Sequence, residues 1–543
     1  MFYIIYEFPV GGGCIGTADT VTGPLDDPSS QDATHSKGSN RMRIVRTLIV
    51  AILVASLGLA LAQTPQRGGV LRVGSNSDPA TLNPYVFGNE FDRNAFRPIY
   101  DPLLDYDLTT YEVVPSLIES YEVSADGLTW TLNVRQGVTF HDGSPMTSAD
   151  VVWSFEQAMK PEATRTAGLL SFVQSVEAVD PATVRLTLSQ ADQLLAHTLV
   201  DVRVTPSGTT DFNTAPIGTG PFKFVSWEPN RQLTYVRNDA YWAAGLPYLD
   251  GLEIRTIPDS SVQVIQLVNR EVDFISSAPF GQIAQLVSGG MVTAVPPDGR
   301  AMGFYDIILN TQREPFNDPR VRQALSYALN RQALVRSLFG YATVQSNPIP
   351  RSSPAFAEDA LNYDVRDVER AKALLTEAGY PNGLEFEMFV HRTGALEWDT
   401  GAQIIQQSAA EAGFTVNIRG VDIGTWVDFV FGQKNFQAGF SAKVPKPVDY
   451  DLIAHMFAKT VGDASGFRIA NPEFYALLDS ARSIADPAEY QAALQELQRI
   501  AMAGLPDILI AGRVIPAAHA PYVKGFIHQV QGSTIFNRVW LDR

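Results

Sequence analysis

Cysteine is almost absent from this 543-residue chain, and the single one is Cys14. From Gln63 onward there is none, which excludes disulfides, a thiol nucleophile and thiolate metal sites over that whole stretch. Histidine is scarce as well: seven scattered residues and no H-E-x-x-H leave a catalytic zinc site without support. Serine-nucleophile patterns of the G-x-S-x-G and S-x-x-K kinds do not occur. The nearest, Gly439-Phe-Ser-Ala-Lys443, has lysine where the second glycine belongs. Positive charge is in deficit, 41 Lys and Arg against 58 Asp and Glu for a net charge of −17, which argues against nucleic acid and anionic membrane as partners. No period of about 20 to 50 residues recurs, so a repeat architecture is not expected.

Long apolar runs are also missing. Residues 48–61 form an apolar stretch shorter than the roughly 20 residues needed to span a bilayer. Arg43 and Arg46 precede it and Ala60-Leu61-Ala62 follows, which is the pattern of a secretory signal starting at Met42 and cleaved after Ala62. Residues 1–41 are expected to be an over-extended, disordered start. Their Gly11-x-Gly13-x-x-Gly16 imitates a dinucleotide fingerprint but lacks the βαβ unit and acidic partner that would give it meaning. No cysteine stands after the cleavage site to carry a lipid, so a soluble exported protein is expected, retained in a periplasm. The remaining chain is too long for one hydrophobic core and predicts about three domains.

Local signals are clearest in Thr139-Phe-His-Asp-Gly-Ser-Pro-Met-Thr-Ser-Ala-Asp150 and the helix that follows. Asp142-Gly143 supplies turn chemistry, Thr147 the N-cap and Asp150 a carboxylate three residues on. Val151, Phe155 and Met159 then repeat at helical spacing until Pro161. Residues 106–214 alternate with period two, as in Thr129-Trp-Thr-Leu-Asn-Val-Arg135, and predict antiparallel strands. Further on, strand, helix and strand alternate, as in 248–255, 260–269 and 272–275, which predicts an α/β fold. Asp318 and Pro319 mark the start of a helix, and residues 367–378, 471–483 and 487–502 read as three more. Gly218-x-Gly220 lacks a third glycine and a following helix, so turn chemistry explains it better than a phosphate cradle.

The Thr139 to Met159 stretch resembles the signature of the family 5 extracytoplasmic solute-binding proteins, the peptide, nickel and oligosaccharide receptors of ABC importers. Further matches are Gly69-Val-Leu-Arg-Val-Gly74, Phe96-Arg-Pro-Ile-Tyr-Asp-Pro-Leu-Leu104, Pro216 to Pro229, Arg237-Asn-Asp-Ala-Tyr-Trp242 and Ile307 to Arg331. The resemblance implies a two-lobed type II periplasmic-binding-protein fold with an extra inserted domain. Lobe one would comprise 68–105, 215–305 and 505–543, with 106–214 inserted into it, and lobe two 306–504, the segment 506–510 leading back to lobe one. It also implies a binding protein rather than an enzyme: a monomer without cofactor, taking a small molecule or peptide between its lobes and serving a permease and ATPase complex in the inner membrane. A secreted hydrolase and a periplasmic sensor using the same cleft are the alternatives.

Ligand contacts are expected on loops at strand ends, where open α/β sheets meet their ligands. His391 and Arg392 follow a strand of lobe two, and the resemblance implies that Phe87, Asn89 and Glu90, on the loop after the first strand of lobe one, lie near the cleft. In peptide-binding relatives a later strand ends in a Trp-containing turn whose Asp pairs with the ligand amine. The corresponding segment here is Phe436-Gln-Ala-Gly-Phe-Ser-Ala-Lys-Val-Pro-Lys-Pro-Val-Asp-Tyr-Asp451. The tryptophan is missing, Phe440 is a ligand-binding candidate, and the acid falls on Lys443 or Lys446 according to the register chosen. A cation there repels an amine, so a conventional dipeptide is disfavoured. Either the lysines hold a carboxylate, phosphate or sugar, or they point to solvent and Asp449 or Asp451 does the anchoring. Trp426 and Tyr450 are candidates to stack on the ligand or to pack in the core.

Overall fold

The segment Val70–Ser75 is short, apolar and mostly buried because parallel strands flank it on both sides, Gly251–Thr256 and Phe274–Ile275. Helix Ser260–Val268 makes the crossover between those two, started by Asp259, whose carboxylate accepts from the amides of Ser261 and Val262. Antiparallel strands extend the sheet at both edges. Its full order is Val292–Ala294, Ala517–His519, Phe274–Ile275, Val70–Ser75, Gly251–Thr256, Gln232–Arg237, Phe222–Glu228. This computed structural model describes residues 64–86, 90–163, 166–294, 303–339, 341–391, 396–443, 448–457, 471–528 and 534–543. The expected disordered start and signal segment therefore lie outside the described residues, and the elements below belong to one unit, Pro65–Arg543.

A second sheet has six strands in the order Ala342–Val344, Asp507–Arg513, Gly303–Leu309, Ala438–Lys443, Leu384–His391, Phe414–Val421. Gly303–Leu309 is buried at every position, as a central strand covered on both faces must be. The helix Pro319–Ala328 begins where its signals place it: Asp318 accepts from the amide of Arg320, and Pro319 occupies the first turn. Helices Val368–Glu377, Pro472–Ala481 and Pro487–Gly504 likewise open on Asp367, Asn471 and Asp486.

One expectation is corrected by the pairing. Residues 506–510 read as the return to lobe one, but Asp507–Arg513 lies antiparallel to Gly303–Leu309 inside the six-stranded sheet. Its near-continuous apolar run identifies a strand covered on both faces without specifying which sheet covers it. The change of sheet comes at 514–516, before Ala517–His519 pairs with Val292–Ala294. The other change falls between Val292–Ala294 and Gly303–Leu309. The two crossings are neighbours, since their flanking strands pair on both sides. Val514 is held by its amide to the carbonyl of Tyr341 at 3.1 Å, and the carbonyl of Pro516 accepts from the amide of Ala278 at 2.7 Å.

The period-two region forms a four-stranded antiparallel sheet, Ile118–Val123, Thr129–Val134, Thr183–Leu188, Val173–Asp180. Helix Ser148–Ala158 packs Val151 and Phe155, both wholly buried, into a hydrophobic core belonging to this region. Asp150 accepts from the amide and hydroxyl of Thr147 at 2.9 and 3.0 Å, and its other oxygen accepts from the amide and hydroxyl of Ser207. The capping acid therefore also fastens the returning chain. His141 lies against the carbonyl of Gly220 at 3.0 Å, and burial lowers its pKa to about 4, so it folds as a neutral turn residue.

The glycines of 218–220 are explained by close approach. A Cβ on Gly220 would lie 2.5 Å from the carbonyl oxygen of Pro98, and one on Gly218 would overlap that of Ile99. Gly220→Ala should therefore destabilise the protein by about 2–3 kcal/mol through overpacking. Its denaturant midpoint should fall accordingly, and an unchanged midpoint would refute the contact.

Candidate ligand-binding cleft

In the six-stranded sheet Leu384–His391, Phe414–Val421 and Ala438–Lys443 run parallel, so their C-terminal ends share one edge. Gly303–Leu309 starts at that same edge, opposite Lys443. Loops that leave parallel strands there are where an open α/β sheet meets a ligand. His391 closes its strand, but Arg392, Lys446, Phe87 and Asn89 lie outside the described residues.

Two aromatic candidates at this edge are core residues. Phe440 has no exposed surface and packs its ring against Trp398 and Tyr305 at centroid distances of 5.1 and 6.2 Å. Side chains alternate along a strand, and the position that puts Lys443 on one face puts Phe440 on the other. Trp426 sits on the short helix Ile423–Val427, capped by Asp422, and is buried with Ile308, Phe389, Val430 and Phe436. Its ring lies over Gly439, where a Cβ would come within 3.3 Å. Trp426 thus covers the face of the strand that carries Gly439, and Phe440 packs on the opposite face; for Trp426 the core alternative holds, and the expected place of Phe440 among the ligand contacts is corrected.

Lys443 is also turned inward. Its side chain is 8% exposed and its ammonium forms ion pairs with Asp306 at 3.0 Å and with Asp507, both carboxylates fully buried. Burial pushes the lysine pKa down, but the two acids outweigh it and hold it above the ordinary value. Burial, and then the neighbouring charge of Asp306, push Asp507 well above the usual carboxylate range. The expected cation for a ligand carboxylate or phosphate is thus committed to a buried acid pair, which corrects that expectation. Sequence could not show it, because the three partners come from three separate strands of the sheet.

Asp449 opens the helix Asp449–Phe457 and accepts from the hydroxyl of Ser353 at 2.5 Å. Tyr450 is buried, gives its hydroxyl to the carbonyl of Leu478 at 3.1 Å, and lines a cavity of ≈ 20 Å³. Leu194, His197 and Thr198 of the inserted domain wall the same cavity from the other side, with Asp451 and Arg482. His197 is oriented by Tyr106, whose hydroxyl lies 3.1 Å from its Nδ1. Arg482 crosses to the inserted domain, where its Nε donates to Asp192 at 3.1 Å and its Nη2 to the carbonyl of Leu169 at 3.1 Å. Neither Arg482 nor Asp192 was legible as a site residue, because 290 residues separate them and no local motif marks either.

Glu90 stands half-buried in the first turn of helix Glu90–Phe96. A small cavity of ≈ 10 Å³ adjoins that helix at the C-terminal end of Val70–Ser75, with an apolar wall that includes Phe91, Leu233 and Ile254 and polar groups from Ser75, Asn94 and Thr534. Asn94 accepts from the amide of Thr534 at 2.9 Å, tying the helix to the last segment of the chain. Among the described residues no group of three or more His, Cys, Asp or Glu is placed to hold a metal ion.

The family described as "Bacterial extracellular solute-binding proteins, family 5 Middle" matches residues 112–464. The glutathione-binding protein GsiB of Salmonella typhi is 30% identical over 499 residues, covering 87% of this chain and 95% of its own. Among solved structures, the binding protein AgaA in complex with agropinic acid, from A. tumefaciens R10, superposes with a TM-score of 0.79 at 27% identity, covering 88% of this chain and 99% of its own. The binding protein DppA from Helicobacter pylori, in complex with the peptide STSA, gives 0.77 at 26%, with the same coverage.

Proposed function

This chain belongs to the bacterial extracellular solute-binding proteins of family 5, and from that premise we propose that it captures a small solute between its two lobes and hands it to the permease of an ABC importer. The observation that carries the reading is the topology. Two sheets exchange the chain at neighbouring crossings, which is the arrangement a hinge requires, and the parallel-strand ends of lobe two open toward it. Closure then follows from a ligand that binds the closed state more tightly than the open one.

The ligand class is narrowed by Lys443. Where a peptide receptor anchors the ligand amine through an acid at this turn, this chain has Lys443 facing two buried aspartates, so neither an amine nor an anion is held by residue 443. Glu90, His391, Arg392, Lys446 and Asp449, with the loop carrying Phe87 and Asn89, are the contacts left to choose the solute. Glutathione, a short peptide and agropinic acid are the ligands to test first, because relatives are named for or bound to them. The protein acts as a monomer in the periplasm, released from its signal after Ala62, and returns its ligand chemically unchanged.

Native mass spectrometry of the freshly purified protein tests this directly. A retained small molecule, released intact on denaturation, is the expected result. Conversion of added peptides or oligosaccharides to products would establish the hydrolase alternative instead. A soluble receptor domain captured with the loaded protein, in place of a permease, would establish the sensor.

A further inference from the structure

We propose that Asp192 and Arg482 form a latch that fastens the inserted domain to lobe two in the closed molecule, so that closure depends on an ion pair that need not touch the solute. The proposal rests on the reading that the lobes move. Asp192 lies in the turn after strand Thr183–Leu188, where Oδ1 accepts from the amide of Leu194 at 3.0 Å. That turn is therefore fixed before Arg482 arrives. Arg482 ends the helix Pro472–Ala481, where a cation also complements the helix dipole.

The guanidinium meets Asp192 through two nitrogens, Nε to Oδ1 at 3.1 Å and Nη2 to Oδ2. It sits 4.9 Å from the ring centroid of Phe172 and reaches the carbonyl of Leu169. Around it the two backbones join: the amide of Gln193 donates to the carbonyl of Arg482 at 2.9 Å, and the hydroxyl of Ser483 donates to the carbonyl of Ala191 at 2.6 Å. Leu194 packs on the hydrophobic cluster of lobe two beside the same contact. The side chains of Arg482 and Asp192 are 6% and 1% exposed, and they belong to domains that share no sheet.

Such a pair is buried only while the two surfaces meet. Opening returns both ions to water, whereas removing one partner leaves a lone buried charge in the closed state and penalises that state alone. The contact thus contributes a difference in free energy between open and closed forms, which any conformational preference requires.

A cysteine-trapping experiment measures this without a ligand, using the full chain in which Cys14→Ser removes the only native thiol. Ala191→Cys and Ser483→Cys place two thiols where the domains touch, and their rate of disulfide formation under mild oxidation reports how often the latch surfaces meet. Adding Asp192→Asn should slow trapping on the order of 100-fold. The charge swap Asp192→Arg with Arg482→Asp should recover part of the rate. The denaturant midpoint of the reduced protein should stay near that of the parent, which a purely structural role would not allow. Trapping within threefold of the parent in the Asp192→Asn background would overturn the latch. That result would leave solute binding untouched, because binding is read by mass spectrometry on the parent protein.

Discussion

Replacing Lys443 by methionine should destabilise the protein by about 3–5 kcal/mol, since it leaves two buried carboxylates without their cation. The loss should depend on pH in a predictable direction. Asp507 has a folded pKa well above its ordinary 3.8, so its contribution is complete below that value and is lost as pH rises through the folded value. Lys443 holds that pKa down, and removing the lysine raises it further. The gap between variant and parent should therefore be small below pH 4 and widen above it. Denaturant midpoints across pH 3 to 8 measure both effects. Lys443→Met combined with Asp507→Asn should recover part of the lost stability, and a double variant weaker than the single one would contradict the pairing.

Arg331→Met should cost a similar amount, about 3–5 kcal/mol, for a different reason. Arg331 is 2% exposed, and none of its hydrogen bonds goes to a carboxylate. Its donors reach the carbonyls of Leu509, Ser326 and Tyr363 at 3.0, 2.8 and 2.7 Å, and the Ser326 hydroxyl at 2.7 Å. One guanidinium thus fastens the central strand Asp507–Arg513 to the end of helix Pro319–Ala328. Methionine fills similar space and leaves those buried acceptors without donors, each costing about 1–3 kcal/mol. Lysine should rescue little, because a single ammonium cannot reproduce the planar fork. Lobe two should lose stability while the inserted domain, with its own core, keeps its transition. Unfolding followed by hydrogen exchange separates the two, and equal loss in both would refute a role confined to lobe two.

What the sequence showed and what it concealed divide by distance along the chain. The cap of Thr147 and Asp150, the start at Asp318-Pro319 and the period-two strands of the inserted domain depend on residues a few positions apart, and all three stand in the structure. Residues 506–510 were expected to lead back to lobe one, but the sheet that Asp507–Arg513 joins was decided by its pairing with Gly303–Leu309, about 200 residues earlier. Phe440 and Trp426 carried the residue types of a stacking site, and only the alternation of the strand and the cover over Gly439 assign them to the core. Lys443 was expected either to hold an anion or to point to solvent, and it does neither. Its direction was fixed by acids on two other strands, and no local rule reaches them.

Small-angle scattering tests the central claim most directly, with the protein alone and then with the solute identified by mass spectrometry or a panel of peptides, glutathione, sugars and small organic acids. The account predicts that the ligand that binds lowers the radius of gyration, as two lobes close about the points where the chain passes between the two sheets, beside the paired strands Val292–Ala294 and Ala517–His519, and Gly303–Leu309 and Asp507–Arg513. A ligand that binds tightly with no compaction, or a panel in which nothing binds, would contradict it.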